Sequence, residues 1–309
     1  MKIAFFGTPD FAVPSLRALL GEGFEVAAVI TQPDKPQGRS RSTLISPPVK
    51  DVAIEEGIPV LQPGKPLGRF VQELRDVAPD IGVVIAYGHI LKPELLAIPR
   101  LGMINVHASL LPLLRGAAPI QHALIEGLEE TGVSIMQMDE GMDTGPVMLR
   151  VATPIFPDET AGELTERLSE LGALALVEAL QLIAVGSTEF EVQAHAEATR
   201  APKITRDSAR ISWEAPAEKI ARLARSLDPK PGAWTELDGK ELKLFGPRVT
   251  PAGGEGTAPG TVLTLEPTLT IQAGDGAVEF LDVQPSGGTR MPVGSWARGH
   301  AGVFGQRCA

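Results

Sequence analysis

The 309-residue sequence predicts an α/β domain with a doubly wound, mostly parallel sheet, followed by a second, smaller β-barrel domain. Three observations predict it. Up to residue 186, short apolar runs alternate with stretches of helical spacing, as in a sheet covered by helices on both faces. Those runs are nearly continuous in apolar character, which marks strands buried on both sides. After residue 228 the pattern changes to short strands separated by turn residues, which reads as a small barrel or sandwich.

The elements follow in order. "KIAFFG" (2–7) is a strand ending in Gly, and "SLRALL" (15–20) has helical spacing. "EVAAVIT" (25–31) is a second buried strand; "VKDVAIEEG" (49–57) is a helix with a Gly stop, and "RFVQELRDV" (69–77) another helix. "DIGVVIAYG" (80–88) and "LGMINVH" (101–107) are strands, and "AAPIQHALIEG" (117–127) is a helix starting near Pro119. "GVSIMQMD" (132–139) and "PVMLRVATPI" (146–155) are strands, and a long amphipathic helix covers 159–186. The polar segment after it reads as a linker, and "APAEKIARLARSL" (215–227) as a helix. Five short strands follow from Trp234, with turns at Asp238-Gly239 and Gly274-Asp275-Gly276. The expected domains are 1–188 and 209–309, joined by a linker at 189–208.

Composition narrows the class. Hydrophobic residues make up 43% and charged residues 21%, as in ordinary globular proteins. No run of 18 apolar residues occurs, so no membrane span is expected. "MKIAFFGTPDF" reads as strand and turn, not as a signal peptide. Cys308 is the single cysteine, which excludes an intrachain disulfide and a cysteine zinc site and fits a reducing, cytoplasmic setting. His89, His107, His122, His195 and His300 lack metal-ligand spacing, so no metal is expected. The net charge is −10, which argues against broad nucleic-acid affinity. Its distribution is uneven: residues 1–202 carry 15 basic and 26 acidic residues, and residues 203–309 carry 13 and 12. Within the acidic half, "DKPQGRSRSTLISPPVK" (34–50) holds four basic residues against one acid.

The common catalytic fingerprints are missing. "GTPDFAVPSL" follows the first strand where a dinucleotide site needs its glycine motif, and neither a P-loop nor a G-x-S-x-G elbow occurs. Two stretches remain, "NVHASLLPLLRGAAPIQ" (105–121) and "MDEGMDTGP" (138–146). They bring a carboxamide, an imidazole and a carboxylate, a set suited to an acyl carbonyl. Imidazole moves protons near neutral pH, and a carboxamide donates to a developing oxyanion. Singly, each residue has an ordinary alternative: His107 as a structural histidine, Asn105 as a turn cap, Asp143 as an Asx-turn. Arg115 and the 34–50 loop likewise read as solvated charge, and Leu110–Leu114 as core.

In combination these stretches resemble the folate-dependent formyltransferases. Asn-x-His, Ser-Leu-Leu-Pro-x-x-Arg-Gly and Asp-Thr-Gly match in order and spacing, and "FFGTPDFAVPSL", "TQPDKPQGR", "SPPVK", "RISWEAPAEKI" and "PGAW" extend the likeness to both domains. The branch that acts on initiator methionyl-tRNA is the nearest in pattern. The resemblance implies a Rossmann-like first domain and an oligonucleotide-binding-type barrel. It implies formyl transfer from N10-formyltetrahydrofolate to the α-amine of the tRNA-bound methionine in translation initiation, by a cytoplasmic monomer without a metal. By the same match Asn105, His107 and Asp143 take the catalytic positions, Ser109, Leu110, Leu111 and Pro112 the folate-contacting positions, and Arg39 and Arg41 the loop towards tRNA. The loop has Ser40-Arg41-Ser42 where the family often has more lysine, and the tail after about residue 290 matches loosely. A sugar-nucleotide or glycinamide-ribonucleotide acceptor, a formate-releasing hydrolase and a non-enzymatic tRNA-binding module are the rival readings. The barrel domain favours the tRNA acceptor over a small-molecule one, and the retained Asn105, His107 and Asp143 speak against a non-enzymatic module.

Overall fold

A computed structural model describes residues 1–37, 43–251, 253–254 and 256–309. In chain order the first elements are β1 (Lys2–Gly7), α1 (Val13–Gly21), β2 (Glu25–Ile30), β3 (Lys35–Gln37), β4 (Thr43–Ile45), α2 (Pro48–Glu55), β5 (Val60–Leu61), α3 (Arg69–Val77), β6 (Ile81–Ile85) and α4 (Pro93–Leu96). Then come β7 (Met103–His107), β8 (Arg115–Gly116), α5 (Pro119–Glu126), β9 (Glu130–Gln137), β10 (Val147–Pro154), α6 (Ala161–Ala184) and β11 (Arg200–Ala201). The last are α7 (Ala217–Ser226), β12 (Ala233–Leu237), β13 (Lys240–Thr250), β14 (Val262–Thr264), β15 (Leu269–Gln272), β16 (Ala277–Pro285), β17 (Met291–Pro292) and α8 (Val293–Ala297).

The chain divides into two compact units. One comprises 1–119, 130–154 and 165–201; the other comprises 120–129, 155–164 and 202–309. In the first unit seven strands form one sheet in the order β10-β9-β7-β6-β1-β2-β5. β7, β6, β1, β2 and β5 are parallel, and β9 and β10 add an antiparallel edge. The Val/Ile/Phe-rich parallel strands are buried almost throughout, as their unbroken apolar sequence requires.

Alternation along β7 decides where the site lies. Its odd-numbered residues share one face of the sheet and its even-numbered residues the other. On the odd face Met103 joins a cluster with Ala4, Phe6, Val84, Tyr87, Phe70 and Leu74, so α3 covers that end. On the even face α6 passes close above the strand: a Cβ at Gly172 would stand 3.0 Å from Val106 Cγ1. Asn105 and His107 therefore continue the α3 face, towards the carboxyl end of β7. In open α/β sheets, that end is where ligands bind.

In the second unit β12-β13-β16-β15-β14 form an antiparallel sheet, with β17 paired to β16. The sheet curls as a half-barrel around Trp213, Ile220, Ala224, Leu244 and Phe280. Trp213 donates to Thr235 Oγ1 at 2.9 Å and meets Phe280 edge-on. Periodicity missed the short elements: the β3–β4 hairpin, β5, α4, α8 and the β8–β11 pair. Two or three residues carry no readable period, and their pairing is decided by distant chain. Residues 189–201, polar enough to read as linker, fold with the first unit and supply β11.

Candidate active site

His107 ends β7 and is 6% exposed. Its Nε2 lies 3.1 Å from the carbonyl of Leu114. A carbonyl only accepts, so Nε2 carries the proton and Nδ1 is the basic nitrogen of the neutral ring. That Nδ1 faces Asp143 Oδ1 at 3.8 Å, too long for a direct hydrogen bond. The gap leaves room for a proton to arrive at Nδ1 with the carboxylate beside it to stabilise the charge.

The partners of His107 are held in unusual backbone. Leu114 has φ 57° and Asp143 φ 55°, both left-handed. Such conformations cost on the order of 1–3 kcal/mol and persist only where surrounding contacts enforce them. Here the contacts are identifiable. The Leu114 amide donates to Thr199 Oγ1 at 2.8 Å, and the Arg115 amide to the Thr199 carbonyl at 3.0 Å. β8 pairs in parallel with β11, and at Gly116 (φ 131°) a Cβ would stand 2.5 Å from the Ala201 carbonyl. Only glycine permits that approach. The Gly116 amide then donates to Asp143 Oδ2 at 2.8 Å.

The loop carrying Asp143 is built around two devices. Asp139 makes the Asx-turn, taking the Gly141 amide at 3.0 Å and Thr144 Oγ1 at 2.7 Å. Asp143 is thereby released from that role, and its side chain, 20% exposed, reaches Gly116 and His107. At Gly145 a Cβ would stand 1.8 Å from the Gln137 carbonyl, so the loop closes on β9 only with glycine there.

Asn105 stands two residues before His107 on the same face, half-buried. Among the described residues its carboxamide has no hydrogen-bond partner, so its donors are available to a ligand. The Ser109–Pro112 segment is a fixed wall. Ser134 Oγ donates to the Ser109 carbonyl at 2.7 Å and accepts the Leu111 amide at 3.0 Å. Arg150 Nε donates to the Leu111 carbonyl at 2.7 Å while its guanidinium pairs with Glu191. Ser109 and Leu111 are buried, and Leu110 and Pro112 keep partly open surfaces. Leu113, next to the wall in sequence, and Met142, next to Asp143, are exposed.

The basic loop is framed rather than displayed. β3 and β4 pair on either side of it, and Arg39 and Arg41 lie outside the described residues. At its base Lys50 bonds both carboxylate oxygens of Asp34 at 2.7 Å. Hydrogen bonds from Gln62 and Lys50 hold the Asp34 carboxyl below the usual range. Lys50 is therefore engaged, while Lys35 stays exposed. No group of three or more metal-ligating side chains occurs among the described residues. Ser134, Arg150, Gln193 and Thr199, which hold the wall and loops, carry no sequence signal. The sequence leaves Arg115 open; the structure puts its guanidinium on Gln193 Oε1 and His195 Nδ1.

The chain matches known proteins over nearly its whole length. The formyl transferase family model matches residues 1–180, and the formyl transferase C-terminal domain model matches residues 203–301. The methionyl-tRNA formyltransferase of Caldanaerobacter subterraneus subsp. tengcongensis is 44% identical over 302 residues, 97% of each chain. That of Desulfotalea psychrophila is 47% identical over 295 residues, covering 95% of this chain and 91% of its own. Among solved structures, the Helicobacter canadensis N-formyltransferase in complex with folinic acid and dTDP-3-aminofucose superposes with a TM-score of 0.69 at 19% identity. It covers 91% of this chain and 98% of its own. At that identity the likeness is one of fold. Both methionyl-tRNA formyltransferases match over nearly their full length, and the chain belongs to the formyl transferase family.

Proposed function

We propose that this protein transfers the formyl group of N10-formyltetrahydrofolate to the α-amine of methionine on initiator methionyl-tRNA. The observation that carries the chemistry is His107. It is locked by Leu114 in one tautomer, with its basic Nδ1 turned to Asp143 and the unengaged Asn105 beside it. The full-length likeness to methionyl-tRNA formyltransferases supports the acceptor.

The folate would supply the formyl carbon, and this chain's residues would manage protons and charge. The attacking amine must shed a proton, and His107 Nδ1 accepts it while Asp143 stabilises the imidazolium. His107 then delivers a proton to the departing nitrogen. Asn105 donates a hydrogen bond to the carbonyl oxygen as negative charge gathers there, worth roughly 3–4 kcal/mol in a water-poor site. The rigid Ser109, Leu110, Leu111 and Pro112 wall suits a flat pterin, as do the apolar side chains exposed nearby. Arg39 and Arg41 would meet the tRNA acceptor end, with the Asp34–Lys50–Gln62 base fixing where their loop starts.

In this reading the first unit, to which residues 189–201 also belong, holds the chemistry, and residues 209–309 form the oligonucleotide-binding-type half. The protein works as a cytoplasmic monomer. Among the described residues no helix is long and apolar enough to cross a membrane. The test is formyl transfer measured side by side on initiator and elongator methionyl-tRNA and on an amino-sugar nucleotide. The proposal expects strong preference for the initiator. Equal rates on the two tRNAs, or preference for the sugar, would overturn the acceptor assignment.

A further inference from the structure

Gln193 lies outside both stretches that carry the family resemblance, yet it is 2% exposed and fully engaged. Its amide nitrogen donates to the Asp143 carbonyl at 3.0 Å and to the Gly145 carbonyl at 2.6 Å. Its Oε1 accepts from Arg115 Nε at 3.1 Å and Nη2 at 2.7 Å. The orientation of this amide has no alternative. A guanidinium only donates and a carbonyl only accepts, so oxygen must face Arg115 and nitrogen must face the loop. A buried network with every group satisfied is rigid.

The placement has a consequence for His107. Asp143 needs its left-handed backbone to bring Oδ1 towards Nδ1, and that backbone persists only under constraint. Gln193 fixes the loop at Asp143 and again two residues on, while Gly116 holds the carboxylate itself. Arg115, next to Gly116, anchors Gln193 in turn. A few residues further on, Thr199 and β11 fix Leu114, the other partner of His107.

We propose that Gln193 is a positioning residue for the transfer reaction, setting Asp143 against His107 through the carbonyls of Asp143 and Gly145. The inference rests on reading His107 and Asp143 as the proton-handling pair. It assigns a mechanistic role to a segment whose composition reads as linker.

The test compares Gln193→Glu, Gln193→Met and Asp143→Asn with the unaltered protein. kcat per folded molecule and KM for each substrate are read separately, with thermal melting as the measure of fold. Gln193→Glu keeps the acceptor for Arg115 and removes both loop donors; Gln193→Met removes all four bonds. Both should lower kcat roughly 10- to 100-fold, since small misplacements at a reacting centre have that effect. Both KM values should stay within about threefold, the mark of an interaction felt only in the transition state. Unaltered kcat per folded molecule in either variant, with only the melting temperature reduced, would make Gln193 structural and overturn the proposal. Should both variants misfold, Arg115→Lys decides, because it loosens the grip on Gln193 Oε1 and keeps the charge. A lower kcat at constant KM upholds the proposal, and an unchanged kcat refutes it. An active Asp143→Asn would sink the reading of the pair itself. An inactive Asp143→Asn beside fully active Gln193 variants would sink only the positioning role.

Discussion

Two hydroxyls three positions apart on β9 offer opposite outcomes from the same kind of substitution. Ser134 is fully buried, and its Oγ satisfies two backbone groups of the Ser109–Pro112 wall, the Ser109 carbonyl and the Leu111 amide. Ser134→Ala removes one hydroxyl and leaves two buried backbone groups unpaired. An unsatisfied buried group costs about 1–3 kcal/mol, so the loss of stability for two is roughly 2–6 kcal/mol. Thr131 is also buried, but among the described residues its Oγ1 has no hydrogen-bond partner. Thr131→Val keeps the shape and removes a polar atom already desolvated without compensation. The change should be neutral or stabilising by up to about 1 kcal/mol. Urea denaturation followed by far-ultraviolet circular dichroism measures both, with unchanged slopes as the sign that the unfolded state is the same. KM for the folate should rise in Ser134→Ala alone, because the wall moves with Ser109 and Leu111. A Ser134→Ala loss below about 1 kcal/mol, or a Thr131→Val loss as large as that of Ser134→Ala, would refute this reasoning.

Further expectations concern the loop, the thiol and the basic hairpin. Gly145→Ala places a methyl against the Gln137 carbonyl, and backbone on both sides leaves the loop to move. kcat should fall about 100-fold at nearly constant KM, and wild-type kcat would contradict the packing argument. Burial pushes the Cys308 thiol up to about 12, against a smaller opposing effect of its contact with Thr235. The thiol therefore stays protonated at pH 8, and iodoacetamide there should leave the native protein unmodified while labelling it in urea; rapid native labelling would contradict the burial. Arg39→Ala should raise KM for tRNA and flatten its salt dependence without changing folate KM. Unchanged values for both would exclude this loop as the tRNA contact.

The parallel sheet was legible because β1, β2 and β6 are nearly continuous apolar runs. α6 was legible to within two residues at each end, since a long helix carries many turns of evidence. The strand end at His107 and the loop at Asp143 were also visible as motifs. What motifs did not contain is how those residues are held. Ser134 looks like any serine in a strand, and Gln193 like any polar residue in a polar segment. Their roles depend on partners 23 to 78 residues away, which no local pattern encodes. Asp143 illustrates the same limit. Its sequence context allowed an Asx-turn, and only the structure assigns that turn to Asp139 and leaves Asp143 for His107. Segments 120–129 and 155–164 belong to the second compact unit though they are flanked in sequence by parts of the first, a division invisible to periodicity.

The most direct test of the central claim is single-turnover formyl transfer to initiator methionyl-tRNA by Asp143→Asn, with folate binding measured by equilibrium dialysis on the same preparation. The substitution keeps the shape of the side chain and the acceptor for the Gly116 amide, and removes only the charge beside His107 Nδ1. Transfer should fall at least about a thousandfold while folate affinity stays near wild type. Transfer within a few-fold of wild type would contradict the assignment of His107 and Asp143 as the pair that moves the proton.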